Sequence, residues 1–233
     1  MVEHVLPRLL IRTDRYLAAA AGRSIPMVVQ AIAAAARQAA PPGTVGVLFA
    51  EEDLEEGPRH RLLDQVIEAR QRGAPRGGVP LYLLSPAGVD PAVLDGAVFL
   101  PGDPPMGHAL PQLRMWSGPA AARLAAPEDR FAGCVVGPVQ PPLWDAADAA
   151  TGALLTSEAV AQVVARWAPR PVLAFGGVGV ANLASVLASG VAGAVVGSAV
   201  MASTDPGAAV QQLVDSLVAH AGGPDLASPD VQP

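Results

Sequence analysis

Eight short apolar runs, each five to seven residues long and bounded by Gly, Pro, Asp or Thr, punctuate the chain: RLLIRT at 8–13, TVGVLFA at 44–50, VPLYLL at 79–84, GAVFL at 96–100, LRMWS at 113–117, FAGCVV at 131–136, PVLAF at 171–175 and AGAVVG at 192–197. Their hydrophobicity is nearly continuous rather than alternating, as in strands buried on both faces of a parallel sheet. Between them run helical stripes: Ile25, Val28, Val29 and Ile32; Leu62, Leu63, Val66 and Ile67; Val160, Val163, Val164 and Trp167; Val210, Leu213, Val214, Leu217 and Val218. Asp205 followed by Pro206 predicts the start of the last helix, with Asp as N-cap and Pro at the first position. The connections after the third and fourth strands, around 90–94 and 104–110, are so short that those helices are expected to be single turns or absent.

This alternation predicts an α/β protein, a single-domain (β/α)₈ TIM barrel over residues 1–221. The Pro- and Gly-rich run GGPDLASPDVQP at 222–233 has no apolar stripe to dock and is expected to be a disordered tail. Residues 137–151, after strand six, show no helix period. A loop of that length is usually functional, so Gln140, Trp144 and Asp145 are candidates for a lid over a ligand.

Composition narrows the partners. A net charge of -6 argues against nucleic acid, which needs a basic face. Although 51% of residues are hydrophobic, no apolar run reaches the roughly 18 residues of a membrane span. No export signal is legible in the first residues, MVEHVLPRLL, so a cytoplasmic protein is expected. The single Cys134 can form neither an internal disulfide nor a cysteine metal cluster, and its setting in FAGCVV predicts a buried strand thiol. A homo-oligomer is compatible with this composition.

The densest chemical signal is the segment 171–200, PVLAFGGVGVANLASVLASGVAGAVVGSAV, which reads as strand, glycine pair, helix, strand, glycine-serine. Backbone amides at two such turns can converge on an anion, and the loops after strands seven and eight of a barrel commonly hold phosphate. Gly176, Gly177, Gly197 and Ser198 are therefore the candidate phosphate-binding residues. Either glycine turn alone is equally well read as a tight turn; two in consecutive units favour a phosphorylated small-molecule ligand.

The ordered set IRTDR (11–15), VGPVQPP (136–142), AFGGV (174–178) and VVGSAV (195–200) resembles the thiamine phosphate synthase family and its sister thiazole tautomerases, well from Phe131 to the last helix and faintly over the middle. The resemblance implies that Gly176, Gly177, Gly197 and Ser198 hold the phosphate of thiazole phosphate or of the product, and that Asp14 and Arg15 match the family's TDR run. It also exposes departures. Leu48, Ala50 and Glu52 stand where the family has glutamine, arginine and lysine for a pyrimidine diphosphate; Ser85-Pro86 replaces an Asn-Asp pair that supplies a magnesium ligand. Asp103 alone lies near the second magnesium carboxylate, and Pro142 and Asp145 take the places of a threonine and a lysine. The tautomerase histidine after strand five is replaced by Ser117.

The expected pocket is thus Asp14, Arg15, Ser117 and Gln140 beside the phosphate turns, with Asp103 the weak metal candidate and Mg²⁺ required only if synthase activity is retained. The carboxylates Glu51, Glu52 and Asp53 are either oxygen ligands or, more simply, a solvated loop face. No catalytic residue is assigned. Three functions stay open: a diverged synthase-like barrel holding a phosphorylated small molecule without diphosphate chemistry, an active transferase, and a non-catalytic sensor or partner-binding barrel. An isomerase or lyase acting on a phosphorylated substrate is a variant of the first.

Overall fold

In the computed structural model, which describes residues 6–75, 79–86, 88–107, 110–118, 125–141 and 154–221, eight parallel strands follow one another round a closed barrel. They are β1 (Leu9–Arg12), β2 (Val45–Phe49), β3 (Leu81–Leu84), β4 (Gly96–Phe99), β5 (Gln112–Ser117), β6 (Gly133–Gly137), β7 (Val172–Phe175) and β8 (Gly193–Val196). Each lies within or at the edge of one of the eight apolar runs. Closure comes from β1, whose Ile11 is in register with Val47 of β2 on one side and Val196 of β8 on the other.

Side chains alternate across each strand. Leu10, Leu48, Tyr82, Val98, Leu113, Val135, Leu173 and Val195, one from each strand, fill the barrel interior. Their neighbours Leu9, Ile11, Val47, Phe49, Leu83, Val136 and Val196 face the outer layer and pack under the helices. Cys134 belongs to that outer set; it is fully buried, and burial pushes its thiol well above the ordinary range, an inert strand cysteine.

The helices are α1 (Arg15–Ala20), α2 (Ile25–Ala39), α3 (Glu56–Gly73), α4 (Ser157–Trp167), α5 (Leu183–Leu187), α6 (Ser198–Met201) and α7 (Pro206–Ala221). On α2 the stripe Ile25, Val28, Val29 and Ile32 is buried, and on α4 Val160, Val163 and Trp167 are, the indole N–H of Trp167 donating to the Ala125 carbonyl at 2.8 Å. Thr156 Oγ1 caps α4 by accepting from the Ala159 amide, and Asp205 Oδ1 caps α7 by accepting from the Ala208 amide. Between β3 and β4 there is only a 3₁₀ turn at Pro91–Val93.

Two details differ from the periodicity. Val218, placed on the buried stripe of α7, is 60% exposed, because it lies on the stripe's edge beyond Leu213, Val214 and Leu217, which take the core contacts. Leu62 and Ile67 on α3 are partly buried, and Ala69 and Gly73 complete that helix's packing face. Gly73 is required there, since a Cβ would press on the Gln30 carbonyl and Ala33 of α2. The tail at 222–233 and the lid candidates Trp144 and Asp145, like Pro142, lie outside the described residues.

Candidate functional site

The C-terminal ends of the strands form the face where barrels of this kind carry function. Continuing the alternation past the interior layer, the positions directed at this mouth are Arg12 after Leu10, Ser117 after Met115, Gly137 after Val135, Gly177 after Phe175 and Gly197 after Val195. Four of the five are small, but a Cβ on Gly137 or Gly177 would meet Phe175 or the 140–141 carbonyls, so of the three glycines only Gly197 leaves open space. Arg12 is the cation on the edge of the mouth.

At the β7 turn, Gly176 and Gly177 have φ of +89° and +62°, the left-handed region that favours glycine. Their second reason to be glycine is the chain that follows β6. Val139 and Gln140 donate their amides to the carbonyls of Phe175 and Gly176 at 3.0 and 3.2 Å, holding that segment against the turn. A Cβ on Gly176 runs into Pro138; one on Gly177 comes within 2.6 Å of the Gln140 carbonyl oxygen and closer still to that of Pro141. The space that these glycines leave is thus taken by the 138–141 segment, which fills that side. Asn182, which sequence reasoning did not single out, fixes the rest of the turn, its Oδ1 accepting from the Gly179 amide at 2.8 Å and its Nδ2 donating to the Gly177 carbonyl at 2.9 Å. The amides of Gly177 and Val178 have no acceptor among the described residues.

The β8 turn is different. Gly197 has a negative φ of -108°, with ψ -86°, and a Cβ there meets nothing nearer than the Arg12 carbonyl oxygen at 4.0 Å. Ser198 is buried, 8% exposed, and the Ser198 and Ala199 amides have no acceptor among the described residues. With α5 and α6 only five and four residues long, little macrodipole accumulates at either turn.

Across the mouth, the β1–β2 corner is locked onto itself. Asp14 Oδ1 accepts from the amides of Tyr16 and Leu17, both at 3.0 Å, and so caps α1. Arg15 grips Asp53 with both guanidinium nitrogens, at 2.5 and 2.6 Å, reaches Glu51 Oε2 at 3.2 Å and stacks 4.2 Å from the centre of the Tyr16 ring. The Asp53 hydrogen bond raises the Arg15 pKa, and the same contact lowers that of Asp53. Both expected pocket residues are therefore committed, although they border a cavity of about 240 Å³ with Arg12, Glu51 and Glu52.

The solvated-face reading of the acidic run is corrected for Glu51, which is only 2% exposed. Burial pushes its carboxyl pKa up, against the opposing pull of the Thr13 hydroxyl and Arg15, and its Oε1 is buried without a partner. Thr13, also missed, is buried and accepts the Ala50 amide on Oγ1 at 3.0 Å, tying β1 to the end of β2.

At β3–β4, Asp103 Oδ2 accepts from the Ser85 hydroxyl at 2.8 Å and the Leu100 amide at 3.0 Å. Ser85 sits at φ +49°, a rare backbone for a non-glycine residue. Arg59 is spent on the Leu84 and Ser85 carbonyls. Around this bonded pair lies a cavity of about 360 Å³ walled chiefly by Pro86, Val89, Pro91, Phe99 and Met106. Magnesium seeks six oxygen ligands, several of them charged. Here one carboxylate stands among apolar walls with an oxygen already doubly bonded, and among the described residues no three His, Cys, Asp or Glu come together as a metal site. The residues do not fit the Mg²⁺ that the resemblance implies.

Ser117 ends β5 exposed on the mouth side, and Gln140 is half-buried beside the β7 turn, so these two remain at the rim with the phosphate turns. His60 approaches the Gly88 carbonyl at 3.3 Å on α3 and His220 lies in the last turn of α7; His4 and His108 are outside the described residues. A larger cavity of about 530 Å³, with Arg8, Gln112 and Arg130 on its wall, opens at the opposite end, where the strands begin.

No protein-family model matches the chain, and no curated protein does. Solved structures do. The chain is similar to a thiamine phosphate pyrophosphorylase from Pyrococcus furiosus, at 20% identity over 92% of this chain and 97% of that one, with a TM-score of 0.71. A thiamine phosphate pyrophosphorylase from Bacteroides thetaiotaomicron matches at 15% identity, 92% and 97% coverage and a TM-score of 0.55. A 3-hexulose-6-phosphate synthase matches at 16% identity, 90% and 99% coverage and a TM-score of 0.58. At these identities the likeness establishes the fold alone, a (β/α)₈ barrel.

Proposed function

We propose that this protein is a diverged thiamine phosphate synthase-like barrel that binds a phosphorylated small molecule between the turns after β7 and β8 and has lost the residues for diphosphate chemistry. The observation that carries this reading is the β8 turn, where Gly197 leaves open space beside the amides of Ser198 and Ala199, which, like those of Gly177 and Val178 at the turn of the neighbouring strand, have no acceptor among the described residues. Among the described residues beyond its chain neighbours, only the Arg12 carbonyl oxygen lies within 4 Å of where a side chain on Gly197 would begin, so the space is available to a ligand. Phosphate in the name of each structure described above agrees with this assignment.

The loss of diphosphate chemistry is supported on the other side of the mouth. A departing diphosphate needs donors aimed at its developing charge. At β1–β4 the arginines Arg15 and Arg59 are bound to protein acceptors, Leu48 and Ala50 belong to the interior cluster, and Asp103 is closed over by Ser85. Removing one such donor typically costs about 10² to 10³ in rate, and several are missing. With a pyrimidine diphosphate, thiazole phosphate and Mg²⁺, the protein is expected to form thiamine phosphate no faster than the uncatalysed background. Saturable, Mg²⁺-dependent formation would return it to the active transferases.

A further inference from the structure

The charge that meets the phosphate has a single good source. The chain contains no lysine, so any cation in the site is an arginine. Among the described arginines around the strand ends, Arg15 is clamped by Asp53 and Glu51, Arg59 by two carbonyls, and Arg114 by the Leu100 and Asp103 carbonyls beside Glu128. Arg23 donates to the carbonyls of Ser203 and Thr204. Arg12 alone in this group has no hydrogen-bonded partner among the described residues: its side chain is 41% exposed and the acid paired with it, Glu52, is 4.0 Å away.

Its position is equally specific. Ile11 is in register with Val196, which puts Arg12 level with Gly197 on the neighbouring strand. Leu10 and Val195 both point into the barrel, so by alternation Arg12 and the open side of Gly197 share the mouth-facing layer. Glu52 follows Ala50, another interior residue, in the same way, and comes to the opposite side of Arg12.

The geometry points to Arg12 as the residue that recognises the phosphate dianion, with Glu52 as the competing anion that holds it when no ligand is bound; this rests on the phosphate reading of the β7 and β8 turns. The planar guanidinium can meet two phosphate oxygens at once, while the turn amides take the others. Selectivity follows from Glu52. A compact phosphomonoester can draw Arg12 towards Gly197 and leave Glu52 behind, whereas a diphosphate extending towards β2 meets the Glu52 carboxylate. The ligand class is therefore a phosphomonoester.

Calorimetric titration of the full chain with phenyl phosphate and with methyl diphosphate tests this, folding of each variant being checked by circular dichroism. Arg12→Gln is expected to weaken phenyl phosphate at least about tenfold, as loss of a charge-assisted hydrogen bond does. Glu52→Gln is expected to tighten it about two- to fivefold and to improve methyl diphosphate by more; the gain for phenyl phosphate, which acts through Arg12, is expected to vanish in the Arg12→Gln background. Wild-type binding of phenyl phosphate that survives Arg12→Gln unchanged, or its tightening by Glu52→Gln without Arg12, overturns the role of Arg12 while leaving the phosphate reading in place. No binding of phenyl phosphate by wild type or by Glu52→Gln overturns both.

Discussion

At the β7 turn, a Cβ added to Gly177 runs into the Gln140 and Pro141 carbonyls; at the β8 turn, one added to Gly197 meets only the Arg12 carbonyl oxygen, 4.0 Å away. In sequence the two turns look alike, each a glycine after an apolar strand. In the structure the first pair is glycine because φ is positive and because the chain after β6 lies across it, while Gly197 has a negative φ and open space where a Cβ would stand. A glycine after a barrel strand can thus record packing of protein on protein or space kept for something else. Only the β8 turn is of the second kind. It carries more of the evidence for a ligand, and the β7 turn contributes its amides rather than its smallness.

Alanine substitution separates the two turns most sharply. Gly177→Ala combines a left-handed residue with overpacking against backbone, and should cost about 2–4 kcal/mol. Gly197→Ala has neither a left-handed backbone nor a clash and should cost less than Gly177→Ala, while its methyl, placed where the phosphate is proposed to lie, weakens phosphate binding. Chemical denaturation of the two variants gives the comparison directly. Equal stability losses would mean that the turns are built alike.

A smaller effect is expected at the locked β1–β2 corner. Glu51 has its pKa raised in the folded protein by burial, so its share of stability is complete below the ordinary glutamate range and lost as pH rises through the raised value. Glu51→Gln removes that loss. The variant should match wild type at acidic pH and equal or exceed it, by about 1 kcal/mol, at neutral pH, since Arg15 keeps its bidentate pair with Asp53. Melting temperatures across that range check the sign: a variant that falls below wild type as pH rises would show that the Glu51–Arg15 contact outweighs desolvation.

The strands were legible because a barrel strand is apolar on both faces, and a run of five to seven apolar residues between turn residues has few other uses. The helix stripes were legible for the same reason of burial, as was the Asp205 cap. What the sequence hid depends on partners far along the chain. Glu51 reads as one of three solvated acids until Arg15, 36 positions earlier, is brought over it. Asp103 reads as a metal ligand until Ser85 is found bonded to it, and Gly176 and Gly177 read as ligand glycines until Pro138 and Pro141 are found against them. Arg12 was legible only as a member of the IRTDR run that ends strand one; its place beside Gly197 depends on the β1–β8 register that closes the barrel.

If a phosphate is held between the turns after β7 and β8, titration of the ¹⁵N-labelled protein with inorganic phosphate should move its backbone amide resonances there. Saturable shifts are expected to concentrate on Gly177, Val178, Gly197 and Ser198. Saturable shifts confined to Arg8, Gln112 and Arg130 at the opposite end of the barrel, or none that saturate anywhere, would contradict that placement.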